Sequence, residues 1–460
     1  MDKDNKSTII VTFDIGTEST SVIMGVADST STFGVNVIYQ ETLPSRGVAY
    51  GIVANPFEFS VIANKLWDNV KRQIKKASKI VIVANVGALS YRYVEKRQQM
   101  DLPNRPIDVA IIDELRRRAE NDIYIEDTEE KSRFLDLGYS VDSGKFTPSV
   151  LNLNGSRIEA RYYACYVRKS DIENINKSLP RQNSVSKTYT SASAKGALYI
   201  GNEEKNNIVA LVDLGAGTTN VAIFGNGVLT FERSLPFGSA TITSDIVQGL
   251  NVTTAQAEWL KQTYGLQAKE KIRNRNNIEQ RYIILKDGDD EIKIDIDKYD
   301  FVARARVEEI ATYVGSLLVQ SRFNNSISYV MLVGGGAELQ GIGKLFENSI
   351  DHPVRIPQLP GNLSNEISPK LAGAYGMLIL YVRETEEADL FTPQTNTESH
   401  VPLPLETEPI NQPEPTPEPA KAPEAEPQKK KNKGLLSSFA DKVKTISEKL
   451  GDGSLLEEEK

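Results

Sequence analysis

Two apolar runs near the start, "STIIVTFDIG" and "TSVIMGVAD", flank a short polar turn. Each is too short for a helix and rich in β-branched residues, so together they predict a β-hairpin. The pattern then changes period. "FSVIANKLWDNVKRQIKKA" carries apolar residues on one helical face, "KIVIVANV" reads as a buried strand, and "PIDVAIIDELRRRAENDI" is a second amphipathic helix. Further on, "SYVMLVGGGAELQGIGKLF" (328–346) is an apolar strand entering three glycines, with a helix expected to begin near Ala337. Strands and helices mixed in this way predict an α/β architecture. The periodicity stops near Arg383. From there the chain is rich in Pro, Glu and Thr and poor in large apolar residues. Such a stretch cannot bury enough surface to offset chain entropy and is expected to be a disordered linker, about 50 residues reaching roughly 40 Å. Periodicity returns in "KKKNKGLLSSFADKVKTISEKLGDG". Leu436, Phe439, Val443, Ile446 and Leu450, with Leu435 beside them, form one helical face with lysines elsewhere.

Size and composition narrow the choices. A chain of 460 residues is too long for one compact unit, so two or more folded units are expected. A net charge of −8 removes any general basic field and argues against nucleic-acid binding. The single cysteine, Cys165, lies in an apolar run and reads as a buried core thiol in a reducing compartment. Only His352 and His400 are present, which argues against a histidine-rich metal centre or a serine-type triad. "MDKDNKST" has no apolar signal core, and no run approaches 18 apolar residues, so no membrane span is expected.

The hairpin occurs twice. "FDIGTESTSVIMGV" (13–26) aligns with "VDLGAGTTNVAIFG" (212–225), matching Asp14 with Asp213, Gly16 with Gly215, Ser19 and Thr20 with Thr218 and Thr219, and Val22 with Val221. Two copies 199 positions apart suggest a duplicated domain that holds one ligand between two facing loops. The chemistry suits a nucleotide. Gly16, Gly215 and Gly217 let backbone N–H groups approach phosphate oxygens, and the hydroxyls of Thr17, Ser19, Thr20, Thr218 and Thr219 can add hydrogen bonds. Asp14 and Asp213 would repel phosphate directly but can hold Mg²⁺ through water. Gly334, Gly335 and Gly336 would let an adenine or ribose lie on bare backbone. The G-x-x-x-x-G-K-[ST] phosphate loop is absent.

Hairpin, second hairpin and glycine-rich strand–helix turn, in this order, resemble the actin/Hsp70/sugar-kinase superfamily. Within it the chain resembles the FtsA family of actin-like membrane tethers of bacterial cell division. The stretches that carry this are "LPFGSATITSDIVQGLNVTTAQAEWLKQTYG" (235–265), "RARVEEIATYVGSLL" (304–318), "SPKLAGAYGMLILYV" (368–382), and the proline-rich linker with its terminal amphipathic helix. The resemblance implies an actin-like, duplicated ribonuclease-H-like, two-lobed ATPase fold. Its expected parts are a first lobe core at 1–83 with 167–205 and 363–383, and an inserted subdomain at 84–166. A second lobe core at 206–239 and 316–362 and an outer subdomain at 240–315 follow. The linker (384–433), a membrane-targeting helix (434–450) and an acidic tail (451–460) close the chain. It further implies that Glu258 and Lys261 face an adenosine, and that Arg306 and Glu309 contact the C-terminal peptide of the division tubulin FtsZ.

The function implied is an ATP-binding protein with Mg²⁺ that polymerises with itself, meets FtsZ and other division proteins, and sits peripherally on anionic lipids at the cytoplasmic face of the division site. A metabolic kinase or a pilus-assembly actin-like ATPase are the alternatives. The chain departs from the family where Glu-Pro usually precedes Ala-Ser-Ala: Tyr189 and Thr190 stand before Ala192, Ser193 and Ala194. Without a carboxylate to orient water, slow or absent ATP turnover is expected. Glu18, inside the first loop, is expected to point away from phosphate, and Ser239 follows Gly238 where a second glycine is common. The terminal helix offers only a few kcal/mol of membrane affinity, so many tails on one filament would have to act together.

Overall fold

A computed structural model describes residues 8–74, 79–103, 105–181, 183–201, 204–269, 281–287, 290–361, 363 and 367–389. The proposed linker beyond 389, the membrane helix with Leu435, Leu436, Phe439, Val443, Ile446 and Leu450, and the acidic tail lie outside the described residues.

The first hairpin forms as expected from β1 (Thr8–Ile15) and β2 (Ser19–Ala27), followed by β3 (Val35–Pro44) and a small pair, β4 (Val48–Ala49) and β5 (Ile52–Val53). Helix α1 (Pro56–Gln73) begins where Asn55 accepts hydrogen bonds from the N–H groups of Phe57 and Glu58, with Pro56 in the first turn. Its apolar face, Phe59, Ala63, Leu66, Trp67 and Val70, is buried. Strand β6 (Lys79–Asn85) then joins β1 in parallel.

The chain next leaves this lobe to build a separate layer. Strands β7 (Tyr91–Asp101), β8 (Glu129–Val141) and β9 (Arg157–Arg168) form an antiparallel sheet in the order β7-β9-β8, covered by α2 (Val109–Asn121). Its core includes Ile111, Leu115, Ile158 and Tyr162. Residues on the other face of β9, Tyr163 and Cys165, pack against Leu211, Ala222 and Met331, so Cys165 is buried as expected.

Helix α3 (Lys169–Ser178) and strand β10 (Val185–Tyr189) complete the first lobe, and α4 (Ser191–Tyr199) crosses to the second. There β11 (Ile208–Leu214), β12 (Thr219–Gly225) and β13 (Val228–Leu235) repeat the opening meander. The outer part holds α5 (Ser239–Leu250), α6 (Thr254–Tyr264), the hairpin β14 (Tyr282–Asp287) and β15 (Asp290–Asp295), and α7 (Ile296–Gln320). Strand β16 (Ile327–Val333), α8 (Ile342–Ile350), β17 (Val354–Arg355) and α9 (Ala372–Asp389) end the described chain.

The duplication is complete at the level of topology. One sheet runs β10-β6-β1-β2-β3 and the other β17-β16-β11-β12-β13. In each, the first two neighbour pairs are parallel and the last two antiparallel. The loops match atom for atom: Gly16 N–H donates to Ser19 O at 2.9 Å, and Gly215 N–H to Thr218 O at 2.9 Å. This is the two-lobed, actin-like α/β fold expected.

Two differences from the expected pattern stand out. No helix starts at Ala337. A single helical turn, Gly335–Glu338, comes first, and α8 starts only after Gly341, whose φ of 86° interrupts the path. At the far end α9 continues to Asp389, past the boundary near Arg383, and Glu384 is held there by Arg133 and Tyr189.

Candidate functional site

The two hairpin loops and the glycine-rich turn converge on one cleft of about 940 Å³. Its lining includes Asp14, Gly16, Thr17 and Ser19 from the first hairpin, Asp213, Gly215, Gly217 and Thr218 from the second, and Gly334, Gly335 and Gly336 from the turn after β16. The volume falls in the range of small-molecule and cofactor sites. The lobes meet at the loops themselves. A Cβ at Gly217 would lie 2.5 Å from Thr17 Oγ1, so only glycine permits this approach. Thr17 Oγ1 also accepts from the N–H of Gly51 at 3.1 Å. Gly335 differs from its neighbours, since nothing lies within 4 Å of the position a Cβ would take, and its bare backbone faces open cleft.

Glu258 and Lys261 are brought into the same cleft. Lys261 Nζ lies 2.8 Å from Glu258 Oε2, and the Thr243 hydroxyl joins them, at 2.7 Å from each. Burial raises the Glu258 carboxyl, but the hydrogen bonds from Lys261 and Thr243 and the Lys261 charge leave it below its ordinary value. The capping box at Thr253 and Gln256 fixes the start of α6 and so aims this pair.

Other expected residues are placed elsewhere. Thr20 and Thr219 are fully buried behind the loops. Thr20 Oγ1 pairs with Ser45 Oγ at 2.8 Å, and Thr219 Oγ1 donates to Phe237 O at 2.9 Å. Both hydroxyls brace the turns and do not line the cleft. Glu18 is exposed and lies among the residues at the cleft. Ser239 N–H donates to Gly215 O at 2.8 Å, tying the start of α5 to the second loop. Arg306 and Glu309 lie on α7, where Arg306 pairs with Glu309 and forms a two-pronged bond to Asp245, 2.5 Å at its shorter arm. Tyr189 is buried, and its hydroxyl donates to Glu384 Oε2 at 2.8 Å; it is not among the residues lining the cleft.

One central residue escapes the sequence pattern. Lys195, in the "SASAKGAL" stretch of α4, reaches the floor of the cleft and places Nζ 2.5 Å from Asp213 Oδ1. Burial works against its charge, but Asp213 and Asp14 more than reverse that, so its pKa is raised. Burial pushes the Asp14 carboxyl up to about 6; Lys195 opposes this and Asp213 adds to it. Both carboxylates are also wedged against glycine backbone. A Cβ at Gly373 would lie 2.1 Å from Asp14 Oδ2, and one at Gly334 2.5 Å from Asp213 Oδ1. Gly373 is in the first turn of α9, where the helix dipole favours a carboxylate. The signal in the sequence is a lone charged residue in a helix otherwise made of small, apolar and hydroxylated residues.

This arrangement does not fit the expectation that Asp14 and Asp213 hold Mg²⁺ through water. The Lys195 ammonium cancels about half the charge the pair could offer. An ammonium bonded to one of the two carboxylates also repels a divalent ion placed beside it.

Comparison with known proteins identifies the relatives of a chain with this cleft. The profile of the family described as "Cell division protein FtsA" matches residues 210–376. The FtsA of Bacillus subtilis (strain 168) is 24% identical over 357 residues, covering 76% of this chain and 79% of the relative. That of Neisseria meningitidis serogroup B is 23% identical over 376 residues, covering 80% and 89%. Among solved structures, a chain of the "PilM-PilN type IV pilus biogenesis complex" superposes with a TM-score of 0.54 at 15% identity, over 81% of this chain and 98% of that one. It shares the fold. The resemblance to FtsA extends along most of this chain.

Proposed function

We propose, taking this chain as an FtsA-like protein, that it is an ATP-binding, actin-like cell-division adaptor that polymerises and links the FtsZ ring to the cytoplasmic face of the membrane. The observation that carries the nucleotide assignment is the convergence of two equivalent glycine loops and a third glycine turn on one cleft. Backbone N–H groups at the loops would take the phosphates, and the open backbone at Gly335 would take the flat part of the nucleoside. Glu258 and Lys261, braced by Thr243, stand ready for polar groups of the ribose or base.

ATP then acts chiefly as a structural ligand. It bridges two lobes whose loops already touch at Thr17 and Gly217, and so sets the closed, filament-competent shape. Turnover is slow or absent, since Tyr189 stands where the family has its water-orienting glutamate and its hydroxyl is committed to Glu384. No helix among the described residues is long and apolar enough to cross a membrane. Attachment therefore falls to residues 434–450, whose weak single-tail affinity becomes useful when a filament presents many tails together. Sedimentation of the full chain with ATP and anionic vesicles tests this. Co-sedimentation with vesicles that requires ATP and is lost on deleting residues 434–460 is expected; equal pelleting by the truncated chain would remove the tether.

A further inference from the structure

The cleft carries a cation of its own. Lys195 is 13% exposed and Asp213 3%, so their ion pair is drawn out of water on the cleft floor, and Asp14 of the other lobe acts on the same ammonium. Asp213 takes one of the three ammonium protons, and a lysine can donate three bonds in different directions. The ammonium lines the same space as Gly16, Gly215 and Gly217, where the phosphate tail would lie. A metal ion in such a site would neutralise phosphate charge and tie the ligand to both carboxylates. The Lys195 ammonium already occupies that region, bonded to Asp213, and keeps donors free to meet a phosphate oxygen.

We propose that Lys195 is the resident cation of the phosphate site, so that this chain binds a nucleoside triphosphate without needing a divalent metal. This rests on the nucleotide reading of the cleft. Lys195 also joins the lobes: it rides on the crossing helix α4, is bonded to Asp213 of the second lobe, and lines the same cleft as Asp14 of the first, whose charge acts on it. Ligand binding at Lys195 would therefore report directly on the closure of the cleft.

The test is calorimetric titration of ATP into the full chain, in magnesium buffer and in excess EDTA, with Lys195→Met beside it. The wild-type Kd should differ by less than about threefold between the two buffers. Lys195→Met should lose roughly ten- to hundredfold in EDTA, the range for a hydrogen bond to a charged group, and recover part of it with magnesium. Because Lys195→Met leaves Asp213 buried without its partner, the double variant K195M/D213N is run in parallel; it removes both charges and should show the same metal-free loss. Wild-type binding that needs magnesium by tenfold or more overturns the inference and leaves the nucleotide cleft standing. Undiminished metal-free binding by both variants overturns it as well. Absence of ATP binding in both buffers removes the nucleotide reading and this inference with it.

Discussion

Helices α4 and α9 cross between the lobes with their backbones in contact, and one added methyl group should force them apart. A Cβ at Gly376 would lie 1.9 Å from the carbonyl oxygen of Ala194 and 2.4 Å from its carbon. That is about 1.5 Å short of a comfortable separation for such atoms. The obstacle is backbone, and the neighbours Ala192, Ala194, Ala374, Met377 and Leu378 are buried and leave little room. Overpacking of this kind costs about 1–3 kcal/mol, here toward the upper end because no side chain can swing aside. Replacing glycine by alanine within a helix returns about 1 kcal/mol. Gly376→Ala should therefore destabilise the chain by about 2 kcal/mol and lower the thermal midpoint by a few degrees. It should also weaken ATP binding, because α4 carries Lys195. Differential scanning calorimetry and ATP titration measure both effects. Gly335→Ala, where a Cβ meets nothing within 4 Å, serves as the comparison and should leave stability within about 0.5 kcal/mol. A Gly376→Ala protein as stable as wild type would refute the reasoning that the crossing is closed to a side chain.

Two further expectations concern charge. Glu232 is fully buried on β13, and desolvation pushes its pKa up to about 7, against the polar surroundings of Thr190, Tyr93 and Ser193 and the Arg133 charge. Between the ordinary glutamate value of 4.5 and about 7 the folded state keeps a proton that the unfolded state has released, so stability falls as pH rises through that window and levels above it. Glu232→Gln should flatten this fall by about 2.5 kcal/mol, read from urea midpoints at pH 5 and pH 8; an unchanged slope would assign it to other groups, Asp14 first among them. Arg306→Ala breaks a partly exposed pair with Asp245 and should cost about 1 kcal/mol in urea unfolding. If Arg306 also meets the FtsZ peptide, Arg306→Ala weakens peptide binding and Asp245→Asn, which removes one of the two carboxylates holding the guanidinium, strengthens it; fluorescence anisotropy showing neither change would remove Arg306 from the site.

Part of the fold and of the cleft is legible in the residue pattern alone, and the reasons are local. Asp14-Ile15-Gly16 and Asp213-Leu214-Gly215 each end a strand and open a turn within a few residues, so composition and period report them directly. The same holds for α1, where Asn55, Pro56 and the spaced apolar residues act within one or two turns of each other. The helix expected at Ala337 is displaced because consecutive glycines and Gly341 leave the backbone free to pass through a short turn before α8, and side-chain pattern does not register that freedom. Thr20 and Thr219 suit phosphate by residue type, yet neither lines the cleft. Whether a hydroxyl faces a cleft or a neighbouring loop depends on chain segments far away, here Ser45 and Phe237.

The sequence by itself determined that the chain contains one hairpin motif twice, that glycines and hydroxyls crowd its turns, and that a polar, proline-rich stretch separates the body from a short amphipathic segment. These are properties of neighbouring residues and survive without a fold. Only the tertiary structure decided that the loops touch at Thr17 and Gly217, that α4 and α9 cross at Gly376, and that Lys195 bonds Asp213 on the floor of the cleft. Contacts of that kind join residues 18 to some 200 positions apart. Their energies come from burial and Coulomb attraction across the closed cleft, which no local pattern encodes.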